Sequence, residues 1–312
     1  YWAARSREQV AFGLLVPALR RPDARADPAL FGTALVTAVS VAAFIDMATA
    51  RQFAEQAVEL ARGQGDDRLL IRSLAALCAA CFFAGEPEAG GPFGQEAVER
   101  ARRLGDDVLL AESLNMYLLT TDSRRLPQLA GEAIACTERS GDHLMNSFLH
   151  NNAGWDALSG GDIPAARAHL EAAAQAAQQI GWKSATVTGN LSLVLRAERD
   201  LDGARSMCEA SLRMSRRNGD SRDMAHAVLR LAYLAGDAGD WDRAAALHGI
   251  AQALLGRTGV QWQGLDARYR QDSLNQARAH LGDEQLERAY AQGMALSLDK
   301  ALDLALPKAG PA

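Results

Sequence analysis

One repeated spacing constrains the fold of this chain more than any other feature. A glycine recurs every 36 to 40 residues, and an acidic residue precedes each copy by nineteen positions. A period of this length indicates stacked supersecondary units that bury their apolar faces against one another. The glycines are Gly65, Gly105, Gly141, Gly181, Gly219 and Gly259, and the acidic residues are Asp46, Glu86, Asp122, Asp162, Asp200 and Asp240.

Local chemistry predicts what each unit contains. An acidic residue favours the start of a helix, because its carboxylate meets free N–H groups and the positive end of the helix dipole. The glycine favours the end of that helix, since glycine adopts the left-handed C-terminal conformation without strain. An aspartate directly after four of the glycines can begin the next helix in the same way: Asp66, Asp106, Asp142 and Asp220. Each unit is therefore predicted to be a pair of antiparallel helices.

Small residues recur where the two helices of a pair must cross, as close approach requires. In five of the six units, the residue eight positions before the acidic residue and the residue four positions after it are both small. The third unit is the exception, with Leu114 and Leu126. We predict that Pro127 starts its second helix and that this pair is splayed or kinked. The earlier set is Ala38, Cys78, Leu114, Gly154, Ser192 and Ala232; the later set is Ala50, Gly90, Leu126, Ala166, Ala204 and Ala244.

The repeat resembles tetratricopeptide repeats in a form of about 40 residues. The acidic residue after a turn glycine, as at Gly161-Asp162 and Gly239-Asp240, carries this resemblance together with the small crossing residues. It implies an all-α, right-handed superhelix of about six helix pairs. The expected regions are 1–29, with a helix within Ser6–Arg20; the repeats, 30–260; and 261–312, with two or three capping helices in Gln263–Leu306.

The C-terminal stretch Arg268–Leu306 resembles the terminal segment of large bacterial signalling ATPases, including large LuxR-type regulators and actinomycete antibiotic-regulatory proteins. The residues that carry this resemblance are Tyr269, Leu281-Gly282, Tyr290, Gly293, Leu296-Ser297 and Ala301. It implies a sensor region that follows a nucleotide-switch domain and a DNA-binding or cyclase output domain. The chain begins at Tyr1-Trp2 without a methionine, so we expect it to be a piece of such a longer protein.

Composition narrows the classes of partner. The formal net charge of −5 provides no basic field for a phosphate backbone, so direct binding of nucleic acid is not expected. Four cysteines in 312 residues are too few for a disulfide framework, and a cytoplasmic location is predicted. The apolar run Phe31–Ile45 is shorter than the roughly 20 residues that span a bilayer, and it predicts a buried helix.

The first helix of each pair should line the inner surface. On each first helix, we expect three positions to face inward: three residues before the small crossing residue, one residue after it and four residues after it. In the first three units these positions are mostly apolar, whereas later units offer amides, aromatic rings and arginines that suit a ligand pocket. The alternative is that the polar residues are solvated and that Trp155 closes an interface between repeats. The candidate ligand-binding residues are Asn115, Asn151, Asn152, Trp155, Asn190, Arg196, His226, Arg230 and Tyr233.

No residue pattern predicts an enzyme, a metal site or a cofactor. Cys78 and Cys81 form a C-x-x-C, but a zinc site needs two further ligands, so both are predicted to lie in the core. The six histidines are scattered, and His150 is expected to be a hydrogen-bonded structural residue. The leading hypothesis is a non-enzymatic sensor that binds a small molecule or peptide in its concave groove. The alternative is an interaction scaffold for self-association, as in a homodimer, or for autoinhibition.

Overall fold

The computed structural model describes residues 8–42, 45–121, 126–258, 261–262 and 264–306. Within these ranges the chain is all-α, with sixteen α-helices, one short 3-10 helix and no β-strand. The N-terminal helix α1 spans Glu8–Leu19, and the 3-10 helix spans Pro22–Ala26. The predicted helix within Ser6–Arg20 is thus confirmed.

Six helix pairs follow in the described residues. The bounds of their helices are α2 Pro28–Ala42 and α3 Met47–Gln64; α4 Asp67–Phe83 and α5 Pro87–Leu104; α6 Asp107–Leu118 and α7 Leu126–Ser140; α8 His143–Gly160 and α9 Ile163–Gln179; α10 Ala185–Ala197 and α11 Leu201–Asn218; α12 Ser221–Asp237 and α13 Trp241–Gly256. Three further helices come after them: α14 Gly264–Leu281, α15 Asp283–Met294 and α16 Leu298–Ala305. Both the number of pairs and the closing helices match the prediction.

The helix starts have the predicted chemistry. The Asp200 carboxylate accepts a hydrogen bond from the backbone N–H of Gly203, and the Asp240 carboxylate accepts one from Arg243. Asp46 and Asp162 cap α3 and α9 in the same way. The four aspartates that follow a glycine cap the next helix as well, namely Asp66, Asp106, Asp142 and Asp220. Glu86 differs, because its side chain makes no capping bond to α5.

The helix ends also follow the prediction. Gly65, Gly105 and Gly219 cap α3, α5 and α11 in the left-handed conformation, with φ of 68°, 70° and 73°. Gly181 has φ of 66°, but α9 already ends at Gln179, two residues earlier. Gly141 directly follows α7 and has φ of 70°. The last two predicted markers, Asp122 and Gly259, lie outside the described residues.

Small residues bring the helices of a pair together as predicted. Ala38, Cys78 and Ala232 are buried on the first helices, and Ala166 and Ala244 are buried on the second. In the third pair Leu114 is fully buried, and Pro127 is the second residue of α7, where its missing N–H costs nothing. Its first helix, α6, has 12 residues, against 17 in α4.

The chain divides into two compact units, one ending at Leu149 and the other starting at His150. The first unit has its main core between the helices of the first two pairs, around Leu35, Phe53 and Leu74. The core of the second unit is centred on α12, around Leu229 and Tyr233. Within the described residues, no helix has the combination of length and hydropathy that membrane spanning requires.

Candidate functional site

A groove of about 570 Å³ runs along the first unit. Its walls come from the first helices of successive pairs, α2, α4, α6 and α8, which the repeat places side by side. The lining residues are Thr33, Val36, Thr37 and Ser40 from α2; Asp66 before α4; Arg68, Leu69, Arg72, Ala75 and Ala76 from α4; Glu112 and Met116 from α6; and Met145 from α8.

Most residues that line the groove are not at the inward positions expected from the sequence. Val36, Ala76 and Glu112 stand two residues before the crossing residue of their helix, and Ser40 and Met116 stand two after it. Of the assigned positions, Ala75 does line the groove. Others are packed in the core, as with Leu35, Val39 and Ala42, which are at most 3% exposed. The assigned positions are wrong here because a rotation of 100° per residue turns them toward the second helices.

Two arginines give the groove a charged wall. Arg68 lies 2.6 Å from the Asp106 carboxylate, and Arg72 lies 3.1 Å from that of Glu112. The Arg68 side chain is nevertheless 65% exposed and that of Arg72 46%, so both can turn toward a ligand. Asn115, predicted as a ligand-binding residue, is half-buried on α6 beside Met116 and is not among the lining residues.

The second unit holds a buried chain of polar side chains, here called the Arg230 network: Asn151, Asn190 and Arg230. The Arg230 Nη2 atom donates to Asn190 Oδ1 at 2.6 Å, and Asn190 Nδ2 donates to Asn151 Oδ1 at 2.9 Å. These residues come from α8, α10 and α12, the first helices of three successive pairs. Arg230 is 4% exposed and Asn190 3%, whereas Asn151 is half-buried. The network therefore leads from the surface to a buried cation.

Arg230 is unusual because it is a buried charge without a close counter-ion. No described carboxylate lies within 4.0 Å of its guanidinium, and its Nε atom has no hydrogen-bond partner. Burying an arginine in this way is costly, since the charge loses its hydration and gains little in return. Such uncompensated groups concentrate at functional sites.

An acidic group lies near the network but is engaged elsewhere. Asp266 Oδ2 lies 2.8 Å from His226 Nδ1, while Asp266 Oδ1 has no hydrogen-bond partner. Burial works against ionisation of the Asp266 carboxyl, but the contact with His226 and the charge of Arg230 outweigh it and hold its pKa below the usual range. The His226 ring is edge-on to Trp262, with centroids 5.3 Å apart. Asp266 is thus a buried carboxylate, 4% exposed.

Arg196 and Tyr233 make a separate contact in the same unit. The Arg196 guanidinium forms two hydrogen bonds to the Asp237 carboxylate, of 2.5 and 2.8 Å, and lies over the Tyr233 ring at 5.3 Å from its centroid. Burial and the nearby Asp266 raise the pKa of Tyr233 well above its ordinary value. Tyr233 is 1% exposed, and its hydroxyl donates to the Asp266 backbone carbonyl at 3.4 Å. Tyr233, a candidate ligand-binding residue, is therefore a core side chain whose ring is covered by its neighbours.

Two further candidates lie on α8. Trp155 is half-buried and packs against the core, and Asn152 is exposed. His150 is hydrogen-bonded as expected, with its Nδ1 atom 3.0 Å from Nδ1 of His169, a partner that the sequence did not identify. Asp266 and Trp262 were also missed. Asp266 stands 40 residues after His226, about one repeat length, but this spacing alone does not single it out.

No cluster of three or more metal-ligating side chains occurs in the described part of the chain. Cys78 and Cys81 are buried, as predicted, and burial raises the pKa of both thiols. Both are therefore poor nucleophiles at neutral pH.

Comparisons with known proteins bear on the fold. No protein-family model matches the sequence, and no curated protein matches it either. Among solved structures, the chain is similar to the crystal structure of BtubC (BKLC) from P. vanneervenii, with a TM-score of 0.54 and 18% sequence identity. The similarity covers 74% of this chain and 94% of that chain. At this identity it supports the helical fold alone.

Proposed function

We propose that this chain is a non-enzymatic effector-binding module that holds a small molecule or a peptide segment in the groove of the first unit. The observation that carries the proposal is the groove itself, of about 570 Å³ and lined by the same face of four successive first helices. This volume lies within the range of roughly 300–1,000 Å³ typical of ligand sites.

The lining combines the features that an effector site needs. Val36, Leu69, Met116 and Met145 supply apolar surface, and methionine side chains adapt their shape to different ligands. The exposed Arg68 and Arg72 provide donors that fix the orientation of a polar group. Because α2, α4, α6 and α8 belong to different pairs, a ligand that contacts all four favours one arrangement of the pairs over another. Such differential affinity is what shifts a conformational equilibrium.

The role in a bacterial transcriptional regulator is part of the proposal and rests on the C-terminal segment described under Sequence analysis. In that role, effector binding would be passed to a nucleotide-switch domain and an output domain of the same polypeptide. The C-terminal segment forms α14, α15 and α16, and Arg270 Nη2 donates to the Tyr290 hydroxyl between the first two of these at 2.9 Å.

A pair of variants tests the groove. Thr37→Trp places an indole in the groove at an exposed position, and Gln52→Trp places one on α3, the second helix of the same pair. Ligands are selected from a random peptide library and from a metabolite extract analysed by native mass spectrometry. We expect them to bind the unmodified chain and the Gln52→Trp variant but not the Thr37→Trp variant. Equal binding to all three proteins, or no ligand at all, would contradict the proposal.

A scaffold function has one observation in its favour. Val10, Leu14 and Leu30 are 54%, 61% and 66% exposed near the start of the first unit. A second copy of the chain could cover these side chains, which would give a homodimer. Light scattering on the unmodified chain and on a Leu14→Glu/Leu30→Glu variant tests this function. A dimer that dissociates in the double variant would support the scaffold function, and a monomer in both proteins would contradict it.

A further inference from the structure

We infer that the Arg230 network of the second unit is a binding site for the carboxylate of a small organic anion. The site is separate from the groove of the first unit and adds a second ligand class to the molecule. The argument begins with the register of the repeat. Asn190 and Arg230 stand two residues before the crossing residues Ser192 and Ala232, the position from which Val36 and Ala76 line the groove in the first unit. Both side chains therefore belong to the inner face of their helices.

Arg230 makes no direct ion pair with the described residues around it. Its guanidinium makes one hydrogen bond, to Asn190, and its Nε donor is buried and has no partner. Asp266 is close enough to be influenced by Arg230 but forms its short contact with His226 instead. A guanidinium with unused donors and no ion-pair partner is prepared to receive an anion, because it pairs with a carboxylate through two parallel hydrogen bonds.

Gly189 leaves room for the guanidinium itself. A Cβ atom at this position would collide with Arg230 Nη1, so a glycine is what leaves the arginine side chain in place. Asn151 adds a second donor toward the surface. Its Oδ1 atom accepts from Asn190, so its Nδ2 group remains for a ligand. The site thus offers a cation at its buried end and an amide N–H at its entrance.

The surrounding groups select among anions. Asp266 stays ionised, because its pKa is held low, and would repel the second charge of a phosphate dianion. A monovalent carboxylate meets less of this repulsion. His226 stands one helical turn before Arg230 and contacts the Trp262 ring, which provides an aromatic surface for the body of the ligand. The ligand class is therefore a carboxylate on an apolar or aromatic body.

Benzoate and benzamide form the matched probes for this site, because they share a shape and differ in charge. We expect benzoate to raise the melting temperature of the chain and to bind measurably in calorimetry, and we expect benzamide and inorganic phosphate to have no effect. Arg230→Met should weaken benzoate binding by at least about tenfold, the loss typical of removing one partner of a buried charge pair. Arg196→Met is the control and should bind benzoate normally, because Arg196 is already paired with Asp237.

Stability separates this inference from a purely structural role of Arg230. If Arg230 serves a ligand, the ligand-free Arg230→Met chain should lose little stability, since removing a buried charge that has no ion pair offsets the lost hydrogen bond to Asn190 and the lost attraction to Asp266. A large loss of stability without any effect of benzoate would show a structural role and overturn the inference. Asn151→Leu, at the half-buried end of the Arg230 network, provides a second test and should also weaken benzoate binding. Thr37→Trp should leave benzoate binding unchanged, which separates this site from the groove.

Discussion

Gly293 of α15 packs directly against the backbone of Ala246 on α13, so closely that a Cβ atom at position 293 would collide with the Ala246 carbonyl oxygen. The contact is reciprocal, because a Cβ atom on Gly249 of α13 would collide with the carbonyl oxygen of Tyr290 on α15. Helices approach this closely only where both lack side chains at the crossing. Two glycines therefore allow the close packing of α15 against α13.

We predict that Gly293→Ala and Gly249→Ala each destabilise the chain by about 3 kcal/mol, at the upper end of the cost of overpacking, because the colliding atoms belong to the backbone. Urea unfolding followed by circular dichroism measures the change. Gly256→Ala is the control on the same α13 helix, where a Cβ atom meets open space. If Gly293→Ala lowers the free energy of unfolding no more than Gly256→Ala does, the helices move apart without cost and the prediction is wrong.

The buried His248 makes stability depend on pH. Burial, and then the charge of Arg270, lower the pKa of this imidazole to about 3, whereas in the unfolded chain it titrates near about 6.5. Between these values the unfolded chain binds more protons, so the free energy of unfolding falls as the pH drops below about 6.5. We expect the His248 contribution to fall by about 2 kcal/mol between about pH 6.5 and 5.

The measurement for His248 compares slopes of stability against pH. His248→Gln removes the titrating group but keeps a polar side chain to pair with the Ser273 hydroxyl, which lies 2.8 Å from His248 Nε2. The slope between about pH 6.5 and 5 should be shallower in this variant. His143→Gln is the control, because His143 is exposed at the start of α8. Identical slopes in all three proteins would contradict the prediction, because they would show that His248 binds protons as readily in the folded chain as in the unfolded chain.

The capping bonds predict unequal effects at equivalent repeat positions. Asp200→Ala removes the bond to the Gly203 N–H, which is 2.9 Å long, and should cost about 1 kcal/mol. Glu86→Ala at the equivalent position removes no capping bond and should stay within about 0.5 kcal/mol, since its ion pair with Arg51 is exposed. Thermal unfolding of the two variants tests this. Equal losses would show that charge near the helix start, rather than the capping bond, provides the stability.

Gly189 and Arg230 should be energetically coupled. Gly189→Ala alone displaces the Arg230 guanidinium and should destabilise the chain, whereas in the Arg230→Met background the added methyl group meets a side chain that ends earlier. We therefore predict a coupling energy above about 0.5 kcal/mol in a double-mutant cycle. Additive effects would mean that the guanidinium moves aside freely.

Local features were predictable from sequence because each depends on residues within one or two helical turns. Asp162, Asp200 and Asp240 cap helices through N–H groups three residues away, and Gly65 and Gly105 adopt a conformation that other residues avoid. The small crossing residues were found in the same way, since their spacing repeats. Glu86 shows the limit of this reasoning, because its position fits the pattern while its side chain pairs with Arg51 instead.

None of the predicted site residues lines the groove of the first unit, whereas the polar side chains of the second unit were predictable in part. Asn151, Asn190 and Arg230 were identified from the sequence, and the structure connects them; His226 was identified too, but its partner Asp266 was not. Tyr233 and Trp155 were identified for their residue type, yet packing places Tyr233 inside the core. Residue type indicates what a side chain can bind, whereas its exposure depends on helices that are distant in sequence.

The sequence by itself determined the helices, their ends and their pairing, because capping bonds, backbone conformation and apolar spacing act over short stretches of chain. Only the tertiary structure decided which face of each first helix lines the groove and which arginine lacks a counter-ion. Arg68, Arg196 and Arg230 are chemically identical in the sequence. They differ because folding brings the carboxylates of Asp106 and Asp237 to the first two and the amide of Asn190 to the third, each from about 40 residues away in the sequence. The energy of a charge depends on such neighbours, which only the packed chain specifies.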